Sequence, residues 1–451
     1  MTTITKLSVA ALVLGVIGSG ACSFDIENPN TPDIIGENPN RSEVAATANG
    51  ILIATRADVA DWALDGGILG REAYRFDAAD PGFTNEMMQG PLDPGSRPFG
   101  GDHWAEEYAA IRTANDLLAV IGTATALSAE EQSATSGFAH TLQAYNFLII
   151  LDTHSQDSIP IDVGTNVNAQ PAPFETNAAA YDHVISLLDG AVTELQAGGS
   201  AFPFPLPGGF SGFNTPATFV QFNRALRARV AVYRADFAGA LTALTGSFYN
   251  PAGPLDRGVY MDFSAGPGDL ANPRALDPQL GEEFGHPSLR TQVQFQPNGD
   301  PDLRFLTKLV DRQQQSFGAP IPLSSDLGWI RYPSPNSPIP LIKNEELVLL
   351  HAEASIGLND LVTATNDINI VRTTSGGLAQ LPGVLASTDA AITELLYNKR
   401  YSLMYEGGHS WIDFRRYGRT SQLTSFDRGG ATPDKIFPTL PIPTQEVQAH
   451  Q

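Results

Sequence analysis

The chain has 451 residues, 42% of them hydrophobic, and carries 49 acidic against 27 basic residues for a formal charge of −22. A surface this acidic does not neutralise nucleic-acid phosphates or hold a membrane through a polybasic patch. A single cysteine excludes an internal disulfide, a thiolate metal site and a CxxC redox pair.

In chain order, Met1 to Lys6 carries one positive charge, Leu7 to Gly18 is a short apolar run, and Ser19-Gly20-Ala21 precedes Cys22. That is the layout of a secretory signal peptide over 1–21. The run is well short of the ~20 residues a spanning helix needs, and no later stretch approaches that length. The position of Cys22 resembles a bacterial lipobox, although Ser19 stands where Leu is usual. Lipidation of Cys22 would anchor the mature chain firmly; the alternative is a cysteine near a cleavage site by chance. Ser23 in place of an inner-membrane retention aspartate, with Asp25 and Glu27 following, points to the outer membrane facing outward. Cleavage removes Lys6 alone among charged residues, so 26 basic residues would face 49 acidic ones.

Helices are expected at about 41–60, 103–121, 128–151 and 177–196. A further helix opens at Thr215-Pro216, a cap followed by Pro at the first helical position, and its apolar residues run from Phe219 to Leu241 at 3- and 4-residue steps. Ala225, Ala228, Ala231 and Ala235 between them suit close packing by neighbouring helices. Late in the chain, 344–356, 360–373, 388–405 and 409–417 read as helices, the first two as a hairpin of tetratricopeptide size. Gly- and Pro-rich segments at 63–102, 152–174, 198–214 and 246–342 read as long loops, and their aromatics favour order over disorder. No strict 34-residue period recurs. The fold class is therefore mostly α: degenerate tetratricopeptide-like repeats, about four helix pairs at 41–60, 103–151, 177–245 and 344–417, with long irregular inserts at 63–102 and 246–342. All of 22–451 is read as one domain.

Several ordered blocks resemble the SusD/RagB family: Asn28-Pro29-Asn30-Thr31-Pro32; Trp104, Tyr108, Ile111, Ala114 and Asn115; Arg224 to Arg229 with Tyr233 to Asp236; and Asp300 to Arg304. They continue through Ile339 to Ala354, Asn369 to Arg372, Arg400 to Arg416, and Leu440 to Pro443 with Glu446. The set spans about residues 22 to 447. Ser402 replaces a usual glutamate, Gly407-Gly408 adds a residue, and Ser410 stands where a basic residue is common, which puts local ion pairs in doubt.

The resemblance implies a surface lipoprotein that binds a nutrient, an oligosaccharide or a peptide, and delivers it to a TonB-dependent SusC-like barrel. It implies a ligand site built by the inserts, for which Arg71, Tyr74, Arg75, Phe76, Phe83, Trp329, Arg331 and Tyr332 are the candidates; flat aromatic faces with polar neighbours suit sugar rings. The competing reading is that these aromatics pin long loops to the core. Glu406, Asp413, Arg415 and Arg416, and the arginines at 224–229, read as structural ion pairs.

Catalytic chemistry is not indicated. Gly209-Phe210-Ser211-Gly212-Phe213 lacks the glycine pattern of a nucleophile elbow, and neither HExxH nor a phosphate loop occurs. His103 and His154 are the best metal candidates and read as satisfied histidines, Asn298 to Asp302 lacks a full calcium pattern, and no metal or cofactor is expected. A glycoside hydrolase on a helical scaffold remains a reading if a cleft pairs a raised-pKa acid with a carboxylate; a protein-binding scaffold is a third.

Overall fold

The computed structural model describes residues 35–95, 103–154, 157–166 and 169–451. The expected signal peptide, Cys22 and the Asn28–Pro32 block lie outside the described residues.

The helices begin where polar caps allow. Asn40 accepts backbone N–H groups from Ser42 and Glu43 while Glu43 reaches back to Asn40, and this capping box opens α1 (Arg41–Leu69). The chain continues through β1 (Ala73–Arg75), the single turn α2 (Glu86–Gln89) and α3 (Ala105–Ile121), then α4 (Ala129–Thr153), opened by the Ser128/Glu131 box. Next come β2 (Ile159–Pro160), β3 (Phe174–Glu175), α5 (Asn177–Gln196) under its Thr176 cap, and α6 (Pro216–Tyr233) under Thr215.

The single helix expected past Thr215 is two. Ala235 takes a left-handed φ of 56°, and the Asp236 side chain accepts the Gly239 N–H, starting α7 (Phe237–Thr245). The apolar period carries across the break because α6 and α7 fold back on one another.

The segment 246–342 is not an irregular loop as expected. It holds β4 (Gly258–Met261), β5 (Glu283–Gly285), the short helices α8 (Ser288–Thr291) and α9 (Leu303–Lys308), β6 (Leu309–Phe317), β7 (Leu323–Trp329) and β8 (Ile339–Lys343). Strands β6 and β7 form a local hairpin, whereas β5 and β4 pair with β1 and β8 far along the chain, which no local pattern reveals. An antiparallel sheet runs β1-β5-β7-β6, with Tyr74 opposite Phe284 and Phe284 opposite Gly328. It draws both inserts together.

The chain closes with α10 (Asn344–Gly357), α11 (Leu361–Thr374), α12 (Thr388–Ser402), α13 (His409–Arg416) and α14 (Thr444–Ala449). Helices α1 with α3, α4 with α5, α6 with α7, and α10 with α11 pack as neighbours, which gives the four tetratricopeptide-like pairs. Among the described residues no helix is long and apolar enough to cross a membrane.

The Gly407-Gly408 pair has a steric cause. Gly408 sits at φ 68°, and a Cβ placed on Gly66 of α1 would come within 2.5 Å of its Cα. Neither chain could approach the other with a side chain in between.

The ion pairs left in doubt by sequence form separate buried clusters. Glu406 accepts Lys308, Arg331 and Lys343 at 2.8–3.1 Å, and Glu353 accepts Lys399 and Arg416 at 2.8 and 2.9 Å. Ser402, in place of a glutamate, receives Arg304 on its hydroxyl and the two lysines on its carbonyl. Arg229 is locked to Glu346 at 2.6 Å, so the arginine stretch at 224–229 is structural.

Candidate functional site

Most of the expected ligand residues face inward. Arg71 is fully buried, left-handed at φ 56°, and forms a two-point pair with Asp427 at 2.7 and 2.9 Å. Arg75 pairs with Asp77 and covers the Phe83 ring. Phe76 packs between Phe284 and Phe317, with centroids at 4.6 and 5.6 Å. Trp329 stacks on Tyr405, the Tyr332 hydroxyl donates to the Tyr405 carbonyl, and Arg331 donates to Glu406. The structure thus brings Trp329, Arg331 and Tyr332 together around Tyr405–Glu406, and Tyr74 and Phe76 together on the sheet. Arg71, and the pair of Arg75 and Phe83, have partners of their own. Their burial matches the reading in which these side chains pin the inserts.

Tyr74 differs from the others. Its ring is 1% exposed but forms part of the wall of an open cavity of about 340 Å³, within the size range of small-ligand sites. Strand β6 contributes Gln314, β7 contributes Ser324, Ser325 and Asp326, the turn after β5 contributes Pro287, and the C-terminal loop contributes Phe426. Phe426 is 39% exposed and stands edge-on to His286, 6.0 Å between centroids. An exposed aromatic face is thus held over a floor of hydroxyl, amide and carboxylate groups.

Charge here is nearly balanced. Asp326, whose partner Arg290 stands at 3.2 Å, is the one ionisable acid or base among the named lining residues other than Tyr74. Behind Tyr74, burial beside Arg400 and Arg71 holds His286 well below its ordinary value, so its ring is neutral. Desolvation also pushes the Tyr74 phenol upward, which keeps its hydroxyl protonated. Such a wall suits an uncharged polyol, with ring C–H faces against aromatic carbon and hydroxyls paired to side-chain oxygens and amides.

Sequence reasoning missed Phe426, Gln314 and the Ser324–Asp326 run. Phe426 carried a usable signal, an aromatic in a polar loop beyond the last long helix. The β7 residues carried none without the strand register.

Six carboxyls with raised values lie elsewhere among the described residues, Glu86, Glu107, Asp116 and Asp157 among them. Burial pushes Glu72 up to about 8 and Asp152 up to about 7. Asp152 shares a void with Glu406, which its three cations hold far below the usual carboxylate range. That void is about 20 Å³, room for a water and not for a sugar ring.

Among the described residues no group of three or more His, Cys, Asp or Glu is placed to hold a metal. His103 lies between Asp58 and Asp65 at 2.8 and 3.2 Å, and His154 bonds to Thr153 and the Pro441 carbonyl. At Asn298 to Asp302 the Asp302 carboxylate is taken up by Arg304 and Tyr397.

No family model matches the sequence, and no curated protein matches it. Solved structures do. A SusD superfamily protein from Bacteroides fragilis superposes with a TM-score of 0.69 at 16% identity, covering 92% of this chain and 99% of its own. A SusD-like carbohydrate-binding protein from the same species gives 0.64 at 13% identity, covering 91% and 98%. A laminarin-binding SusD-like protein gives 0.62 at 16% identity, covering 91% and 98%. Likeness of this extent at such low identity is a likeness of fold, and the chain has the SusD-like fold.

Proposed function

We propose that this chain is a non-enzymatic outer-membrane lipoprotein, anchored through Cys22 and facing outward, that binds an oligosaccharide and passes it to a TonB-dependent SusC-like barrel. The observation that carries the reading is the cavity between Tyr74 and Phe426, at the junction of both inserts, on a fold shared with carbohydrate-binding proteins over nine-tenths of the chain. Its lining offers an aromatic face and neutral hydrogen-bonding groups, which supports an uncharged sugar over a peptide.

Binding without turnover fits the chemistry on the walls. Hydrolysis of a glycosidic bond needs a raised acid opposite a carboxylate with the bond between them, and the described lining of the Tyr74–Phe426 cavity carries one carboxyl, Asp326, with no second opposite it. Delivery then needs a partner that supplies the energy.

The test is co-expression of the full chain with the SusC-like barrel that this reading expects to be encoded beside it. The barrel is expected to co-purify from the outer-membrane fraction, and Cys22→Ser is expected to release the protein from that fraction. Failure of the barrel to co-purify, or membrane retention of Cys22→Ser, would overturn the delivery reading or the anchor respectively.

A further inference from the structure

A separate cavity of about 420 Å³ lies between α3, the stretches 160–166 and 169–172, and α14. Two hydrogen bonds strap the first of these stretches to α3: Tyr108 Oη donates to the Pro160 carbonyl at 2.7 Å, and Asn115 Nδ2 donates to the Val163 carbonyl at 2.6 Å. Arg112 stands between them on the same helix face, one turn from Tyr108. It takes no part in the strapping, and its Nη1 is buried with no hydrogen-bond partner.

A guanidinium nitrogen withdrawn from water without an acceptor calls for one. The other charges on the wall are Asp162 and Glu446. Among the described residues Asp162 makes no hydrogen bond or ion pair, whereas Glu446 has His450 at 3.7 Å. His450 also fixes the third wall, its Nε2 2.7 Å from the Ala172 carbonyl. Arg112 has Asp116 one turn along its helix and Asp162 has His183 as charged or polar neighbours, but among the described residues neither makes an ion pair or hydrogen bond with them or with the other, so the cavity offers a guanidinium and a carboxylate with hydrogen-bonding capacity unused. A second cavity of about 300 Å³ continues past Tyr108 and Glu446 to Trp104.

We infer that this cleft is a second ligand site, which takes a zwitterion of dipeptide size. Arg112 receives the carboxylate through paired N–H donors, Asp162 receives the ammonium group, and the amide of Gln170 serves the peptide unit between them. A simple anion would leave Asp162 unmatched, a simple cation would leave Arg112 unmatched, and a neutral sugar would match neither. The site shares no named residue with the Tyr74–Phe426 cavity and does not depend on the sugar reading.

The probe is alanyl-alanine, titrated calorimetrically into the full chain beside its N-acetyl form and its C-terminal amide. Alanyl-alanine is expected to bind, and each blocked form to bind at least about tenfold more weakly. Arg112→Gln should weaken alanyl-alanine about tenfold and leave the amide unchanged, while Asp162→Asn should weaken alanyl-alanine and leave the N-acetyl form unchanged. Asp162 lies on the segment after β2 and outside the helical core, so its variant keeps the test open if Arg112→Gln does not fold. No binding at millimolar concentration, equal binding of the blocked forms, or variants that bind alanyl-alanine as the parent does would each overturn the proposal.

Discussion

The indole of Trp329 lies flat against the phenol ring of Tyr405, with centroids 4.2 Å apart and planes within 10°. Tyr405 is a non-glycine residue at φ 63°, a conformation that costs ~1–3 kcal/mol and persists only where its surroundings fix it. Its N–H donates to Glu72, its hydroxyl donates to Glu283, and its carbonyl accepts Tyr332. The stack therefore holds the residue that aims Glu406 into its three cations.

Trp329→Ala is accordingly expected to destabilise the protein by about 3–5 kcal/mol, measured by urea denaturation. A variant of parental stability that loses sugar binding would instead make Trp329 a ligand contact.

Gly66→Ala tests the contact between α1 and the 405–408 turn. The added methyl meets backbone, which cannot rotate away, so a loss of about 1–3 kcal/mol is expected in thermal or chemical unfolding. Gly122→Ala, where a methyl would meet nothing within 4 Å, is the control and is expected to leave stability unchanged or slightly raised.

Glu72 gives stability a pH dependence of defined sign. Its value rises from 4.5 unfolded to about 8 folded, because burial penalises the carboxylate more than the Tyr405 N–H and nearby cations favour it. The folded state thus binds more protons than the unfolded state between those values, and Glu72 makes stability fall as pH rises from about 4.5 to 8. Glu72→Gln removes that slope. Relative to the parent it should gain about 1.4 kcal/mol for each pH unit in that window, read from denaturation midpoints at pH 5 and pH 8. A constant difference between variant and parent would contradict a protonated Glu72.

The helices were legible because their ends are chemical. Thr176 caps α5, and the expected span of 177–196 is the observed one; Asn40, Ser128 and Thr215 mark their helices in the same way. The break before α7 was legible in principle, since Asp236 with Gly239 at the third helical position is itself a cap, but the unbroken apolar period concealed it. The sheet was not legible. Ala73 pairs with Gly285 across more than two hundred residues, and three-residue strands carry no alternation to read. For the same reason a loop aromatic such as Phe76 looks identical in sequence whether it faces a ligand or, as here, Phe317.

On the proposed reading, sugar binds between Tyr74 and Phe426. Calorimetric titration of neutral and uronic-acid oligosaccharides into the parent and Phe426→Ala tests it most directly. Phe426 is partly exposed, so its removal should cost at most about 1–2 kcal/mol of stability. A neutral oligosaccharide is expected to bind the parent, its uronic-acid counterpart to bind more weakly beside Asp326, and Phe426→Ala to lose about tenfold or more in affinity while remaining folded. Absence of binding by any oligosaccharide, or parental affinity in Phe426→Ala, would contradict that reading.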